Sequence, residues 1–231
     1  MPSTNRPLAS ATIVFDLDGT LVDTAPDLVE TLNVVLRQEG LAPLRFEDAR
    51  LLVGGGAKMM LKRGLECEGI VARPDLVERL FGDFIAYYSA HIADKSRPFP
   101  GLLAALDRLS ANGCRFAVCT NKLEALSVQL LGALGIRSRF AAICGQDTFG
   151  VQKPDPEVLR KTIAAAGGEP TRAVLIGDSQ TDILTARAAA VPIIAVTFGY
   201  SDPPVATFSP DRLIDHFDQL EGAVSAVLGT A

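Results

Sequence analysis

The stretch that decides the fold is Thr12-Ile13-Val14-Phe15-Asp16-Leu17-Asp18-Gly19-Thr20, near the N-terminus. Its first four residues are β-branched or aromatic, and such a run predicts a buried strand. Asp16 and Asp18 follow directly, and their side chains would share one face if the extended geometry persisted. Gly19 then allows the chain to turn at once. The stretch therefore predicts a buried strand that ends in two carboxylates.

Outward from this strand, predicted strands and helices alternate beyond residue 97. The later predicted strands are Arg115–Cys119, Ala141–Cys144, Ala173–Ile176 and Ile193–Val196. The helices predicted around them are Leu102–Asn112, Leu123–Leu134, Asp155–Ala166, Thr181–Ala189 and Phe217–Leu228. This alternation is typical of an α/β fold with a doubly wound parallel sheet and a Rossmann-like core.

The segment between Val22 and Ser96 lacks convincing strands. Its predicted helices are one that ends near Glu39, then Phe46–Val53, Ala57–Cys67 and Pro74–Ala93. We therefore expect residues 1–21 and 97–231 to form the catalytic core, with residues 22–96 as an inserted α-helical cap domain.

Composition excludes several classes of protein. The chain has 231 residues, of which 48% are hydrophobic and 21% charged, which is enough for a sizeable core. Lys plus Arg is 22 and Asp plus Glu is 27, so the net charge of −5 argues against nucleic-acid or membrane-surface partners. No apolar run approaches the roughly 18 residues of a membrane span, and the short apolar run before Asp16 leads us to expect no secretory signal. The four cysteines have no metal-ligand spacing and are expected to be small buried thiols (Cys67, Cys114, Cys119, Cys144). We expect a reduced, cytoplasmic protein, monomeric or homodimeric.

Polar clusters follow three of the predicted strands, and a fourth lies in a loop. They are Asp16 to Thr20, Thr120-Asn121, Gly177 to Asp182, and Lys153-Pro154. In open α/β sheets, ligands bind outside the carboxyl ends of the strands. We therefore expect these four clusters to converge on one crevice.

The residue types in these clusters favour phosphate and metal chemistry. Asp178 and Asp182 are four positions apart, which predicts neighbouring turns of one helix face. Several carboxylates at one point repel each other, and Mg²⁺ neutralises such groups together with phosphate oxygens. Lys153 would supply positive charge, while Thr120 and Asn121 would offer hydroxyl and amide donors to phosphate oxygens. A pair of turn or helix-capping acids is the structural alternative for Asp16 and Asp18.

With these motifs in order from about Thr12 to Val196, the chain resembles the haloacid-dehalogenase-like phosphohydrolases. The resemblance implies that Asp16 is a nucleophile that forms an aspartyl-phosphate, and that Asp18 is the general acid and then the base. The resemblance also implies that Lys153 is a catalytic residue. It also implies Mg²⁺ held by the Asp16 carboxylate, the Asp18 backbone carbonyl and Asp178, with Asp182 acting mainly through water or more distant contacts.

Further residues resemble the phosphoglycolate phosphatase branch of that family. Asp18, Thr20 and Asp182 favour a hydrolase of phosphate esters over a mutase. The stretch from Gly19 to Leu28 matches this branch, as does Val53 to Ala57 followed by Arg63. The resemblance implies a small phosphorylated metabolite, 2-phosphoglycolate, as substrate, with Gly55, Gly56, Arg63, Thr120 and Asn121 as candidate binding residues.

Alternatives remain for the cap and for the function. The glycine run from Gly54 to Gly56 could be only a flexible helix break, and Arg63 could lie on a solvated face. Another small phosphate ester or pyrophosphate could be the substrate. A non-catalytic regulatory module is a third hypothesis, from a different functional class.

Overall fold

The strands of the chain form one large sheet and one small ribbon in a computed structural model that describes residues 8–229. In chain order they are β1 (Thr12–Phe15), β2 (Val22–Asp23), β3 (Arg97–Pro98), β4 (Arg115–Cys119), β5 (Ala142–Cys144), β6 (Ala173–Gly177), β7 (Ile193–Val196) and β8 (Arg212–Ile214). Six of them make a parallel sheet in the order β5-β4-β1-β6-β7-β8, while β2 and β3 pair antiparallel. The predicted α/β fold class is confirmed.

Nine α-helices are present in the described part of the chain. They are α1 (Ala25–Gln38), α2 (Phe46–Ala49), α3 (Ala57–Cys67), α4 (Pro74–Ala90), α5 (Leu102–Ala111), α6 (Glu124–Ala133), α7 (Pro156–Ala165), α8 (Gln180–Ala189) and α9 (Leu220–Val227). Among residues 8–229, no helix is both long enough and apolar enough to cross a bilayer.

The two faces of the sheet pack into separate cores because successive strand residues point to opposite sides. In β1, Ile13 and Phe15 join the core covered by α5, α6 and α9. Val14 joins the other core, which α7 and α8 cover. All four cysteines are free thiols; Cys114, Cys119 and Cys144 are buried as predicted, but the prediction is wrong for Cys67, which is exposed at the end of α3.

The helices between β2 and β3 form the cap. α1, α3 and α4 contact one another and bury Leu32, Leu61 and Phe84. The β2–β3 ribbon, which pairs Val22 with Pro98, carries the chain out of the core and back. The cap therefore lies over the end of the sheet where β1 finishes.

The strand order places a crevice at the carboxyl end of β1. The chain proceeds from β1 to β4 and β5 on one side, then crosses to β6, β7 and β8 on the other. Such a reversal opens a gap beside the central strand, and this gap is where open α/β sheets bind ligands.

Some elements differ from the sequence-based expectation. The predicted helix Phe46–Val53 is α2 followed by a 3₁₀ turn over Arg50–Leu52, and it gives way to the glycine run. The ribbon and β8 were not predicted. Each strand of the ribbon has only two residues, which is too short to display a periodic pattern, and in β8 only Ile214 is buried.

Candidate active site

Asp16 lies directly after β1, buried at the centre of the crevice. Its backbone N–H continues the strand ladder by donating to the Ile176 carbonyl at 2.8 Å. Its Oδ1 accepts from the Leu17 N–H at 2.7 Å and lies 2.9 Å from Lys153 Nζ. Burial raises the pKa of Asp16 to about 6, although the Lys153 charge opposes that rise. Oδ1 of the buried Asp16 carboxyl group therefore makes both contacts, one with a backbone N–H and one with a lysine.

Asp18 has partners of its own on the cap side of the crevice. The Thr24 hydroxyl donates to its Oδ1 at 2.7 Å, and Lys122 Nζ donates to both carboxylate oxygens at 2.9 and 3.0 Å. The extended geometry that would give Asp16 and Asp18 one shared face ends at Phe15. The two acids therefore face different partners.

Gly19 makes the turn after these acids, with φ of +80°. A Cβ at this position would lie 2.6 Å from Asp178 Oδ2 and 2.9 Å from the Tyr200 ring. Both the positive φ and the lack of space require glycine here.

Lys153 joins two of the acids. Its Nζ lies 2.9 Å from Asp16 Oδ1 and 2.6 Å from Asp182 Oδ1, and the side chain is almost fully buried. Burial by itself would lower the pKa of Lys153, but the charges of Asp16 and Asp182 outweigh it and raise that pKa. The lysine therefore remains a cation.

Asn121 positions Lys153. Its Oδ1 accepts from the Lys153 N–H at 3.0 Å, and its Nδ2 donates to the Lys153 carbonyl at 3.2 Å. The sequence predicts a phosphate contact for this amide, and the second N–H of Nδ2 is not used by the two contacts with Lys153. Thr120, directly before it, is buried, and its hydroxyl accepts from the Lys122 N–H at 3.2 Å.

Asp178 and Asp182 converge in a different way from the expected one. Because Ser179 is the N-cap of α8, Asp178 lies outside the helix and the two acids do not occupy neighbouring turns of one face. Asp182 completes a capping box, accepting from the Ser179 N–H at 3.1 Å and hydroxyl at 2.6 Å. Asp178 accepts from the Thr20 hydroxyl and the Tyr200 N–H, both at 2.9 Å.

Asp16, Asp178 and Asp182 form an acidic cluster at the heart of the crevice. Each offers a carboxylate oxygen, and these atoms lie within 4.8 Å of one another. Burial raises the pKa of Asp178 to about 8, and the charges of Asp182 and Asp16 add to the rise. Among residues 8–229, Lys153 is the cation in ion-pair contact with the cluster. Three acids against one lysine leave an excess of negative charge, and an oxygen-rich donor set of this kind fits a hard divalent cation such as Mg²⁺.

A small cavity of about 40 Å³ lies between Asp18 and the cap. Apolar cap side chains line it, among them Met60, Phe81, Phe84 and Tyr88, and its polar lining comes from Asp18, Asn121, Lys122 and Gln146. Gly56 lines it too, with φ of +84°, and a Cβ there would lie 3.1 Å from the Asn121 carbonyl oxygen. Gly56 therefore lets the start of α3 approach the core closely.

Gly55 and Arg63 do not line the cavity beside Asp18. Both line a separate groove of about 160 Å³, which reaches Asp178, Ser179 and Tyr200. The Arg63 side chain is exposed on α3. The structure therefore places Arg63 on the Asp178 side of the cap, away from the cavity that holds Asp18.

Three residues at the site escaped the sequence reasoning. Lys122 directly follows Thr120-Asn121, and that adjacency is a signal that could have identified it. Tyr200 donates its hydroxyl to Asp23 at 2.5 Å. Arg50 donates to the Gly199 carbonyl at 3.3 Å and lies over the Tyr200 ring at 5.5 Å. No local pattern in the sequence indicates these last two contacts.

Known proteins resemble this chain in sequence and in fold. A family model described as haloacid dehalogenase-like hydrolase matches residues 13–196. Phosphoglycolate phosphatases of Agrobacterium fabrum and Caulobacter vibrioides are each 48% identical, covering 96% and 93% of this chain and 94% and 91% of their own. A crystal structure of a predicted phosphoglycolate phosphatase from Haemophilus somnus superimposes with a TM-score of 0.86 at 28% identity, covering 94% of this chain and 98% of that one. The chain belongs to the haloacid dehalogenase-like hydrolases.

Proposed function

We propose that the chain hydrolyses 2-phosphoglycolate to glycolate and inorganic phosphate, with Mg²⁺ as cofactor and a phosphorylated Asp16 as intermediate. The observation that carries the chemistry is the buried Asp16 carboxylate, paired with Lys153 and grouped with Asp178 and Asp182. The choice of substrate is supported by relatives named phosphoglycolate phosphatase that are 48% identical over more than nine-tenths of the chain.

The first step forms the covalent intermediate at Asp16. A carboxylate oxygen attacks phosphorus while the bond from phosphorus to the ester oxygen breaks. Protonated Asp18 gives its proton to the departing oxygen, so glycolate leaves as the alcohol. Hydrogen bonds from Thr24 and Lys122 hold Asp18 where this transfer would occur.

The second step returns the enzyme to its starting state. Asp18, now a carboxylate, removes a proton from water as that water attacks phosphorus. The bond between phosphorus and the Asp16 oxygen breaks, inorganic phosphate leaves, and Asp18 is again protonated. Lys153 offsets negative charge next to Asp16 in both steps, and Asn121 holds Lys153 in position.

The metal would be held by the carboxylates of Asp16 and Asp178 and by the backbone carbonyl of Asp18. The ion supplies neutralisation of the phosphoryl oxygens. One oxygen of Asp182 is paired with the Lys153 cation and the other caps α8, whereas both oxygens of Asp178 accept only from neutral donors; this difference favours Asp178 as the ligand and an indirect role for Asp182. The Thr120 hydroxyl would donate to a phosphoryl oxygen.

The cavity beside Asp18 suits a small leaving group. Its volume of about 40 Å³ is small compared with the 160 Å³ of the groove that Gly55 and Arg63 line. Apolar side chains of the cap close it on the far side.

The test is phosphate release from 2-phosphoglycolate, pyrophosphate, a hexose phosphate and a nucleotide, each with Mg²⁺ and with chelator. We expect the highest kcat/KM for 2-phosphoglycolate and loss of activity with chelator. Asp16→Asn, which keeps the shape of the side chain, should lower kcat at least about 1000-fold. Lys62→Met, an exposed change on α3, is the matched control and should keep full activity.

Each arm of this test addresses a different part of the proposal. A higher kcat/KM for pyrophosphate would overturn the substrate while keeping the chemistry. Full activity of Asp16→Asn would overturn the nucleophile, and full activity in chelator would overturn the metal.

A further inference from the structure

Lys122 occupies an unusual position for a lysine. It follows β4 in the chain, and its side chain is only 5% exposed. Its Nζ pairs with both oxygens of Asp18 and lies 4.6 Å from the centre of the Tyr88 ring. Burying a lysine is unfavourable unless its charge is paired with an acid or with a bound ligand. An ammonium group has three donors, and the contacts with Asp18 can occupy two of them.

Tyr88 presents a second unsatisfied group in the same place. The residue is fully buried on α4 and lines the cavity with Asp18 and Lys122. Its hydroxyl lies beside the Lys122 ammonium but makes no well-formed hydrogen bond within the described residues. A buried hydroxyl that lacks a well-formed hydrogen bond is unfavourable, so this one indicates a ligand that accepts or donates a hydrogen bond here.

The cavity has one basic side chain among its lining residues, and that is Lys122. The remaining walls are mostly apolar, which strengthens any ion pair formed inside. Arg63, the cationic candidate from the sequence, lines the other groove. A second anionic group of the substrate that entered this cavity would therefore meet Lys122.

We propose that Lys122 and the Tyr88 hydroxyl bind the substrate carboxylate and set a preference for phosphate esters that carry a carboxylate on the adjacent carbon. This inference rests on the proposed function, in which Asp18 meets the ester oxygen. Two covalent bonds of about 1.5 Å each separate that oxygen from the carboxyl carbon of 2-phosphoglycolate, which places the two atoms about 2.5 Å apart through space. Because Lys122 Nζ lies 2.9 Å from Asp18, such a carboxylate falls within its reach.

A competing role for Lys122 is only to position Asp18. The two roles predict different effects of losing Lys122. If Lys122 only positions Asp18, activity falls equally for every phosphate ester, because Asp18 protonates the leaving group of each. If Lys122 binds the carboxylate, activity falls mainly for esters that carry one. The informative pair of substrates is 2-phosphoglycolate and 2-hydroxyethyl phosphate, in which a neutral hydroxymethyl group replaces the carboxylate.

The experiment measures kcat and KM for both substrates, at saturating Mg²⁺, in the wild type, Lys122→Met and Tyr88→Phe. The readout is the ratio of kcat/KM for 2-phosphoglycolate to that for 2-hydroxyethyl phosphate. We expect Lys122→Met to lower this ratio at least about 30-fold, mainly through KM of the acidic substrate. Tyr88→Phe, which removes a single hydroxyl, should lower it about 5- to 10-fold. Lys62→Met should leave the ratio unchanged.

A ratio that stays within threefold of wild type in both variants would overturn carboxylate binding, even if Lys122→Met lowered both activities equally. If Lys122→Met failed to fold, the Tyr88→Phe ratio would still decide. Failure of the proposed function would look different, because the wild type itself would then show no preference for 2-phosphoglycolate.

Discussion

Replacing Tyr200 with phenylalanine removes a hydroxyl that holds the start of the cap to the core. That hydroxyl donates to the Asp23 carboxylate at 2.5 Å and accepts from the Ala25 N–H at 3.0 Å. Ala25 is the first residue of α1, where backbone N–H groups have no partner inside the helix. A hydrogen bond to a charged group contributes about 1.5–3 kcal/mol, and a buried N–H left unpaired costs about 1–3 kcal/mol. We expect Tyr200→Phe to lower the free energy of unfolding by about 2.5–6 kcal/mol.

The assay is urea unfolding followed by circular dichroism, without Mg²⁺, at pH 7. Tyr87→Phe is the matched control, because its hydroxyl makes no hydrogen bond within the described residues, and it should change the free energy by less than about 0.5 kcal/mol. The affinity for Mg²⁺ should stay within about threefold, since Asp178 accepts from the backbone N–H of Tyr200 and not from its side chain. A loss below about 0.5 kcal/mol for Tyr200→Phe would refute the assigned hydrogen bonds.

Three further predictions concern the metal cluster, the cap and the cap's connection to the core. Without metal, the pKa of Asp178 is raised from 3.8 to about 8. Between these two pH values the folded state binds a proton that the unfolded state has lost. The free energy of unfolding of the metal-free protein therefore falls as pH rises from 3.8 to about 8. Because Mg²⁺ must displace the proton on Asp178, adding Mg²⁺ should increase Tm more at pH 8 than at pH 6. The increase should be absent in Asp178→Asn, and an equal increase at both pH values in the wild type would contradict the reasoning. Gly56→Ala should lower kcat/KM about tenfold, because its φ is +84° and its Cβ would crowd the Asn121 carbonyl. Gly82→Ala, with open space around it, is the control for that variant. Asp27 in α1 accepts hydrogen bonds from the backbone of residues 95 and 96 and from the Ser96 hydroxyl, and so connects α1 to the end of the cap. Asp27→Ala should lower the free energy of unfolding, measured in urea, by about 2–4 kcal/mol. A change within about 0.5 kcal/mol would contradict this connection.

Local sequence patterns were sufficient to predict the sheet and its acidic residues. β1 was predictable because four consecutive apolar or β-branched residues lead directly into Asp16, and β4 and β6 end in polar residues in the same way. Parallel strands bring their carboxyl ends to one edge, so the convergence of Asp16 and Asp178 follows from topology. The local geometry after β6 did not follow, because a capping box at Ser179 ends the extended chain one residue beyond Asp178.

The contacts between cap and core could not be predicted, since they join residues far apart in the chain. Lys122 and Asp18 are separated by 104 positions, and Tyr200 and Asp23 by 177. Neither pair has a periodicity or a spacing that indicates the contact. Tyr88 is instructive in another way: its place on the apolar stripe of α4 predicts core packing, and it is indeed buried, yet its hydroxyl reaches a polar cavity.

Tyr200 connects the acidic cluster to the cap through a short series of contacts. Its backbone N–H fixes one oxygen of Asp178, its hydroxyl holds the beginning of α1, and its ring supports Arg50 of the cap. Any shift of the cap that moves Arg50 or Ala25 therefore acts on the residue that orients Asp178. Because a packed, hydrogen-bonded residue transmits displacement better than a loose loop does, we expect the position of the cap and the geometry of the metal site to change together. Closure of the cap over a small ester would then complete the cavity around Lys122 and fix Asp178 in the same movement.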